Sequence, residues 1–344
     1  MYKKILVINL GGIGDILLSQ PALRALKKNF FDAELNFLSV RRVFELLKNP
    51  TYGFIDRVFL FEPNSFNIAN NLFTLFCLRK EKFDLAINMR TLVSKKGARN
   101  IKMLLEILSA KKTVGRDTEG RGYFFDIKIQ ETDKGLYYER DYDIMTVEAL
   151  GVSVEDKNIY FKIDKEDTFY VEKILKDFKA NSDKPLIGFH IGGMPSRRWP
   201  IENVAKVLDA ISKIDCIFVV TGSKKEAFLA KKLKNLTKVN FVDLTGKLTI
   251  GQLASLIKKF KVFISNDTGP MHLAAVLKVP LVAIFGPGDL TRYNPKVIWE
   301  EAVILEGGYS CSPCNKFFCS SKECLYKISS EKLVEEVLKI LDKC

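Results

Sequence analysis

The chain has 344 residues, of which 47% are hydrophobic, and a formal net charge of +13. This length favours two domains, and the hydrophobic content is sufficient for two packed cores. No apolar run reaches the length of a membrane-spanning helix, and the amino terminus enters a strand-like segment directly, so we expect neither a transmembrane helix nor a signal peptide, and a cytoplasmic location.

The first half of the chain alternates strand-like and helix-like segments. Apolar runs at 3–9, 33–40, 56–61 and 83–89 predict strands, and short helical spacing follows at 41–48. Residues 15–29 have the apolar spacing of a helix that Pro21 is expected to kink or restart. Residues 115–165 are more polar, and we expect them to be less regular, with a connecting loop that leads into a helix.

Residues 90–116 concentrate positive charge, with Glu106 as the single acid. The segment is either a solvated helix face or a surface that attracts anionic lipid or a phosphorylated substrate at a membrane. It has no aromatic residues between the cations, so no nucleic-acid partner is predicted. The basic residues are Arg90, Lys95, Lys96, Arg99, Lys102, Lys111, Lys112 and Arg116.

The second half repeats the alternation. Strands are predicted within 184–193, 216–222, 239–246, 261–267 and 280–287, the last being the final strand; helices are predicted at 167–178, 225–235, 249–260, 269–279 and 329–343. Two consecutive α/β halves, each starting at a glycine turn, predict two Rossmann-like domains with parallel sheets that face a central cleft. The predicted boundaries are 1–160, 161–325 and a C-terminal helix at 326–344, which could pack back on the N-terminal domain.

The first candidate site is the turn "NLGGIGD", with Gly11, Gly12 and Gly14 before Asp15. A dinucleotide fingerprint is weakly supported, because its third glycine position is Leu17. The glycines instead allow a tight turn and the close approach of a bulky group. Asp15 could be a simple helix cap or a functional carboxylate.

The second candidate site lies in the other half. In "SNDTGPMHLAA", the turn residues Asp267, Thr268 and Gly269 follow a strand, and free N–H groups at such a helix start attract anions. His272 lies in the first helical turn, and the other histidine, His190, also follows a strand at a glycine turn. Each histidine could be a buried core residue, but together they favour a ligand site.

Two further segments are unusual. In "GGMPSRRWP", residues 192–200, Arg197 could grip a diphosphate or lie in a surface loop. In "CSPCNKFFCSSKEC", the residues Cys311, Cys314, Cys319 and Cys324 provide only one C-x-x-C pair, whereas zinc sites usually have two. Reduced structural cysteines, a metal or iron–sulfur site and a disulfide all remain open.

These motifs together resemble glycosyltransferase family 9, the ADP-heptose:lipopolysaccharide heptosyltransferases. The similarity rests on "NLGGIGDILLSQPALRALKK", "HIGG" followed by "RRWP", "TGSKKE" and "SNDTGPMHLAAVLKVPLVAIFGP", in that order. The resemblance implies a GT-B fold and an inverting, metal-independent transfer that needs no cofactor. It also implies an ADP-sugar donor, a lipid-anchored anionic oligosaccharide acceptor (Kdo or heptose) and a location at the inner face of the cytoplasmic membrane.

The resemblance also implies roles for single residues. Asp15 resembles the general base of the family, and Arg197 stands where a basic residue, usually lysine, contacts the donor diphosphate. Glu226 matches a position that often faces the donor nucleoside. The family's heptosyltransferase I branch often has hydroxyl residues at the positions of Gly192 and Gly193, so the donor sugar stays open. The donor-binding residues implied are His190, Arg197, Glu226, Asp267, Thr268, Gly269 and His272.

Two other functions remain possible from the sequence. One is a GT-B enzyme for another nucleotide-sugar, either a different glycosyltransferase or an epimerase. The other is a non-catalytic sugar-nucleotide-binding protein. The intact Asp15 and Asp267–His272 motifs argue against the second.

Overall fold

A computed structural model describes residues 2–62, 68–178, 184–314 and 316–342. The last two residues of the predicted C-terminal segment therefore lie outside the described residues. The chain divides into two compact units, 1–160 and 161–344, and each is described by itself below. Among the described residues, no helix combines the length and the apolar character needed to cross a membrane.

Unit 1 is a six-stranded parallel sheet in the order β3-β2-β1-β4-β5-β6. Its strands are β1 (Lys4–Ile8), β2 (Glu34–Ser39), β3 (Arg57–Leu60), β4 (Leu85–Asn88), β5 (Lys112–Thr118) and β6 (Ile127–Glu131). Its helices are α1 (Ile13–Asn29), α2 (Phe44–Leu47), α3 (Ile68–Glu81), α4 (Lys95–Leu108) and α5 (Glu139–Glu148), and single 3₁₀ turns occur at Arg41–Val43 and Pro50–Tyr52.

The helix α1 runs through Pro21 without a break, so the expected restart is wrong. Proline removes one N–H donor from the helix interior, which ordinarily destabilises it. The cost is offset by tertiary packing, because most of α1 from Ile16 to Leu26 is buried and the helix packs along α5. The helix begins at Ile13, so Asp15 is the third residue of its first turn.

The expectation of irregular structure from residue 115 onward is wrong for β5 and β6. Their interior side chains include Arg116, Thr118 and Glu131, all buried. Such residues read as a loop in sequence, but here they pair with one another inside the fold. Arg116 is also a correction to the basic stretch, since a fully buried guanidinium cannot be part of a charged surface.

Unit 2 is a second six-stranded parallel sheet in the order β12-β11-β10-β7-β8-β9. Its strands are β7 (Leu186–His190), β8 (Ile217–Thr221), β9 (Phe241–Asp243), β10 (Val262–Asn266), β11 (Leu281–Phe285) and β12 (Val303–Glu306). Its helices are α6 (Lys165–Asp177), α7 (Ile201–Ile211), α8 (Ala227–Leu236), α9 (Ile250–Ile257), α10 (Gly269–Val276), α11 (Leu290–Tyr293), α12 (Glu323–Tyr326) and α13 (Ser330–Asp342).

The carboxyl-terminal part of unit 2 differs from the sequence prediction in two ways. The strand β11 is not the final strand, because β12 pairs with it at the sheet edge. The helix α13, which the sequence left able to pack on the N-terminal domain, buries Leu333 and Val337 in the core of unit 2 and packs along α7.

In both sheets the strand order reverses beside the first strand of the unit. The reversal lies between β1 and β4 in unit 1, and between β7 and β10 in unit 2. In parallel α/β sheets, ligands bind beyond the carboxyl ends of the strands at this switch point. The predicted class, two Rossmann-like α/β domains with parallel sheets, is confirmed, and every candidate motif except the cysteine cluster lies at or beside a switch point.

Candidate functional site

The glycine turn of unit 1 wraps around the Asp15 carboxylate. Asp15 Oδ2 accepts a hydrogen bond from the Gly12 N–H at 2.6 Å, so the side chain does cap its own helix. A Cβ on Gly11 would lie 2.5 Å from the same oxygen. Gly11 is therefore needed because the carboxylate occupies the space of a side chain, whereas a Cβ on Gly12 would meet that oxygen only at 3.6 Å.

Asp15 also forms an ion pair that joins the two central strands of unit 1. Its Oδ1 contacts Nη1 of Arg90, which follows β4. The two side chains are 16% and 27% exposed, so the pair is accessible from solvent. Arg90 is thus a second correction to the basic stretch, because its charge is balanced by Asp15 at the switch point.

A chain of buried polar groups supports this turn from behind. Asn9 Oδ1 accepts from the Gly11 N–H at 3.0 Å, and Asn9 Nδ2 donates to Ser19 Oγ at 3.0 Å. The Ser19 hydroxyl donates to Asp143 Oδ2 at 2.6 Å. Asp143 in turn contacts the buried Arg116, so the turn is linked to the interior of the unit.

Arg116 is shared by three acids. Its Nη1 lies 2.7 Å from Glu139 and 3.2 Å from Glu131, and its Nη2 contacts Asp143. One guanidinium cannot balance three carboxylates. Burial, only partly opposed by the Arg116 charge, raises the pKa of Asp143 to about 7.

In unit 2, Asn266 holds the switch-point loops together. Its Nδ2 donates to the Gly192 carbonyl at 2.9 Å, and its Oδ1 accepts from the Trp199 N–H at 3.0 Å. The side chain is fully buried at the end of β10. Sequence analysis did not single out Asn266, although its place directly before the Asp267 turn was the available signal.

Arg197 lies beside the start of α10. Its Nη1 forms an ion pair of 2.9 Å with Asp267 Oδ2. Its Nε is buried and has no hydrogen-bond partner within the described part of the chain. Buried donors are nearly always satisfied, so this N–H is well placed for a ligand acceptor. Asp267 itself is packed so closely that a Cβ on Gly288 would lie 2.0 Å from its Oδ2.

Arg198 and Glu226 form a second pair at the same edge of the sheet. Arg198 Nη2 donates to Glu226 Oε1 at 2.7 Å, and Arg198 Nε donates to the Gly193 carbonyl at 2.8 Å. Glu226 Oε2 accepts from the Ser223 N–H at 2.7 Å. Glu226 is buried, so its partner Arg198, which sequence analysis did not assign, is needed to balance its charge.

The two histidines have different surroundings. His190 Nδ1 is 3.0 Å from Thr221 Oγ1, and burial lowers the pKa of His190 to about 4 despite the nearby Glu226. A neutral imidazole offers hydrogen bonds to a ligand but no positive charge. His272 lies in α10, is 2% exposed and packs its ring edge-on against Tyr293.

The turn before α10 is partly open to solvent. Thr268 and Gly269 are half-buried, whereas Asp267 and Pro270 on either side are buried. Thr268 precedes the first helical residue and makes no side-chain cap bond to the helix. The N–H groups of this turn can therefore reach an anion, as the sequence pattern predicts.

Glycine is favoured at positions 192 and 193 for two different structural reasons. A Cβ on Gly192 would lie 2.6 Å from His190 Nε2, and Gly193 has a φ of +124°, where side chains are strained. A side chain at position 192 would displace the His190 ring, and one at position 193 would strain the backbone, so this loop favours glycine at both positions.

The cysteine segment supports the arginine loop. Ser196 Oγ donates to the Lys316 carbonyl at 2.6 Å, and Trp199 Nε1 donates to the Leu325 carbonyl at 3.1 Å. The four thiols and Ser196 border one cavity of about 70 Å³. Among the described residues, the cysteines of this segment are free thiols. No group of three or more His, Cys, Asp or Glu side chains in the described part of the chain is arranged to hold a metal ion.

The chain matches the family model for glycosyltransferase family 9 (heptosyltransferase) over residues 77–325. It is 29% identical to lipooligosaccharide heptosyltransferase 2 of Campylobacter jejuni over 347 aligned residues, which cover 96% of this chain and 95% of the relative. The fold is similar to a solved glycosyl transferase family 9 structure from Veillonella parvula, with a TM-score of 0.76, 23% identity and coverage of 100% and 98%. It is also similar to Escherichia coli ADP-heptose lps heptosyltransferase II, with a TM-score of 0.72, 20% identity and 99% coverage of each chain.

Proposed function

Because the chain belongs to glycosyltransferase family 9, we propose that this glycosyltransferase moves a heptose from ADP-heptose to the inner core of lipopolysaccharide. Two of the similar proteins named above, from Campylobacter jejuni and Escherichia coli, are heptosyltransferases of lipooligosaccharide or lipopolysaccharide, which supports both the sugar and the acceptor class. Kdo and a heptose are the two candidate acceptor sugars.

The observation that carries the proposal is the chemistry at the two switch points. In unit 1 a partly accessible carboxylate, Asp15, is held by a glycine turn and by Arg90. In unit 2 the turn Thr268–Gly269 offers N–H groups beside Arg197, whose Nε is buried without a partner among the described residues. The first arrangement suits a base, and the second suits a diphosphate.

The proposed reaction is an inverting displacement. Asp15 takes the proton of the acceptor hydroxyl, whose oxygen attacks the anomeric carbon of the heptose. The bond between that carbon and the diphosphate breaks on the opposite face, and ADP leaves. Arg197 and the N–H groups of the α10 turn stabilise the charge that develops on the diphosphate. Each of these roles is carried by this chain's own residues, so the proposal needs no metal or cofactor.

The remaining donor contacts are assigned by position. Glu226 is proposed to face the donor nucleoside, with its charge balanced by Arg198. Neutral His190 and buried His272 are proposed to line the donor site and to provide hydrogen bonds rather than charge. Asn266 is a positioning residue that ties the loops after β7 to the α10 turn.

The acceptor of this reaction is proposed to be anchored in a lipid membrane. We therefore propose that the enzyme works in the cytoplasm, at the inner face of the cytoplasmic membrane. Lys95, Lys96 and Arg99 remain exposed on α4, and exposed cations attract anionic lipid.

The proposal is tested with a panel of donors and acceptors. The purified enzyme is incubated with ADP-heptose or UDP-sugars and with Kdo-terminated or heptose-terminated acceptors, and products are identified by mass spectrometry. We expect a heptose adduct on one acceptor class from ADP-heptose alone. Turnover of a UDP-sugar would favour the other nucleotide-sugar enzymes, and ADP binding without any turnover would favour a non-catalytic binding protein.

A further inference from the structure

The outward face of α3 is apolar and exposed. Ile68, Leu72, Phe73 and Phe76 are between 54% and 68% exposed, and their spacing places them on one side of the helix. The opposite side packs inward, with Leu78 in the core of unit 1. Residues 68–78 contain no charged side chain, and the polar Asn71 and Thr74 are hydrogen-bonded to the backbone carbonyls of Glu62 and Leu60.

A helix with one apolar side packed in the core and a second apolar side usually has that second side covered by protein or lipid. Here one side is buried in unit 1, and the other has no cover in the described residues of the chain. Exposed apolar residues that are scattered singly over a surface are ordinary, but these residues align on one helix face. A contiguous exposed apolar patch of this kind marks an interaction site.

Cations border this patch. The helices α3 and α4 pack against one another on the same face of the sheet, and Arg79 Nη1 donates to the Ile107 carbonyl of α4 at 2.8 Å. Lys80 Nζ lies 4.2 Å above the Phe76 ring. Between residues 79 and 106, the sequence contains three acidic residues, Glu81, Asp84 and Glu106. The basic residues along α4 and the end of α3 are Arg79, Lys80, Lys82, Lys95, Lys96, Arg99 and Lys102.

The acids add little negative charge to the exposed surface. Glu81 pairs with Lys4 and Arg57, Asp84 pairs with Lys111, and Glu106 lies 3.7 Å from Lys102. The patch therefore combines an apolar stripe with a rim of positive charge. We call the exposed side chains of Ile68, Leu72, Phe73, Phe76, Lys80, Lys95, Lys96 and Arg99 the α3–α4 surface.

We propose that α3 lies in the interface of an anionic lipid bilayer, with its apolar side chains inserted below the headgroups. Interfacial helices combine an apolar face with Lys and Arg at the headgroup level, which is the pattern of the α3–α4 surface. The proposal deepens the proposed function, since it names the residues that bring the enzyme to a lipid-anchored acceptor. It differs from attraction by charge alone because the contact includes insertion of Leu72, Phe73 and Phe76.

The first test measures binding to vesicles by sedimentation. The double variant Phe73→Ser, Phe76→Ser keeps every cation of the surface. The matched control is Phe169→Ser, Phe228→Ser, which removes two phenylalanines of similar exposure from unit 2. On mixed phosphatidylethanolamine–phosphatidylglycerol vesicles, we expect the α3 variant to bind at least about 10-fold more weakly than the wild type, and the control to bind normally.

The second test reports insertion directly. In Phe73→Trp the new indole is expected to emit at shorter wavelength on binding these vesicles, and to be quenched by lipids with brominated acyl chains. Phe169→Trp is the control, and its added emission should not respond. An unquenched Phe73→Trp on bound protein would overturn insertion, as would wild-type affinity of the Phe73→Ser, Phe76→Ser variant.

The outcomes separate this inference from the proposed function. ADP affinity, measured by calorimetry, and melting temperature should be unchanged in the α3 variants, which excludes misfolding as the cause of weak binding. Vesicle binding through α3 without turnover of ADP-heptose would overturn the proposed function alone. Turnover of ADP-heptose by a wild-type enzyme that does not bind vesicles would overturn this inference. It would also be overturned if the wild type did not bind vesicles but formed a concentration-dependent dimer that the α3 variant loses.

Discussion

Asp15 is a residue with two compatible roles, as a cap of α1 and as a candidate base. The cap is visible in the hydrogen bond from the Gly12 N–H, and the candidate base in the partly accessible carboxylate beside Arg90. Asparagine separates the two roles. The amide oxygen of asparagine can accept the same backbone hydrogen bond, but asparagine cannot take up a proton at neutral pH.

We expect Asp15→Asn to lower kcat by at least about 100-fold, since general-base catalysis is worth 10²–10⁴-fold. ADP affinity and melting temperature should stay near the wild type, because the cap is kept. The matched control is Arg90→Gln, which breaks the same ion pair but leaves the carboxylate, and it should lose much less activity. Near-normal turnover of Asp15→Asn on the true acceptor would end the base hypothesis, and an equal loss in Arg90→Gln would point to the ion pair instead.

Arg197 provides a residue-scale test of the donor site. Removing a charge-assisted hydrogen bond costs about 2–3 kcal/mol, so Arg197→Ala should weaken ADP binding by roughly 30- to 150-fold in calorimetry. Arg24→Ala is the control, because Arg24 is also a half-buried arginine in an ion pair, with Asp156 in unit 1. Unchanged ADP affinity together with a lower melting temperature would make Arg197 only the partner of Asp267.

At the scale of elements, most strands could be predicted from sequence because parallel strands buried on both faces are nearly continuous apolar runs. β1, β7, β10 and β11 are of this kind, and each was predicted close to its observed bounds. The strand β5 was missed because its sequence, KTVGRDT, places Arg116 and Thr118 in the interior. The partners of Arg116 and Thr118 lie on β6 and α5, and a pairing between residues so far apart in sequence leaves no pattern in the sequence around β5.

The same limit applies to the candidate site. Motifs predicted Asp15, Arg197 and the α10 turn as candidates, because each combines a turn with a polar or charged side chain in one short segment. The partners Arg90 and Arg198 were not assigned, since a charge within a basic stretch, or beside another arginine, has no distinctive local signal. Sequence therefore predicts which turns are candidates for chemistry, and the fold decides which charges balance them.

The loop after β7 offers a prediction at this scale. Gly193 has a φ of +124°, lies near Thr268 and accepts a hydrogen bond from Arg198 through its carbonyl. We expect Gly193→Ala to lower the free energy of unfolding by about 1–3 kcal/mol and to weaken ADP binding, because the strained loop must move. Gly120→Ala is the control, since Gly120 also has a positive φ but lies in unit 1 with open space around it. Full ADP affinity in Gly193→Ala would show that this loop does not shape the donor site.

For the molecule as a whole, the two units share a sheet topology with one switch point each, but they balance their buried acids differently. In unit 2, each buried acid of the candidate site has its own arginine, Asp267 with Arg197 and Glu226 with Arg198. In unit 1, Glu131, Glu139 and Asp143 all contact the single guanidinium of Arg116. A buried acid with a shifted pKa couples stability to pH, so we expect the stability of unit 1 to depend on pH through Asp143.

The direction of this pH effect follows from Asp143. Its pKa is raised from an ordinary 3.8 to about 7, so between these values the folded unit holds a proton that the unfolded chain releases. The stabilisation is therefore complete at low pH and is lost as the pH rises towards about 7, with a slope of at most about 1.4 kcal/mol per pH unit.

Asp143→Asn mimics the protonated acid and can keep both the Arg116 and Ser19 contacts. Denaturant unfolding followed by hydrogen exchange in α1 and α5 should show a slope between about pH 4 and 7 that this variant flattens. Asp84→Asn is the control, because hydrogen bonds from Lys111 and the backbone lower the pKa of Asp84 to about 2, so it does not titrate in that range. A wild-type unit 1 that becomes more stable as the pH rises through this range would contradict a protonated Asp143, and an unchanged slope in Asp143→Asn would assign the titration to another group of the cluster.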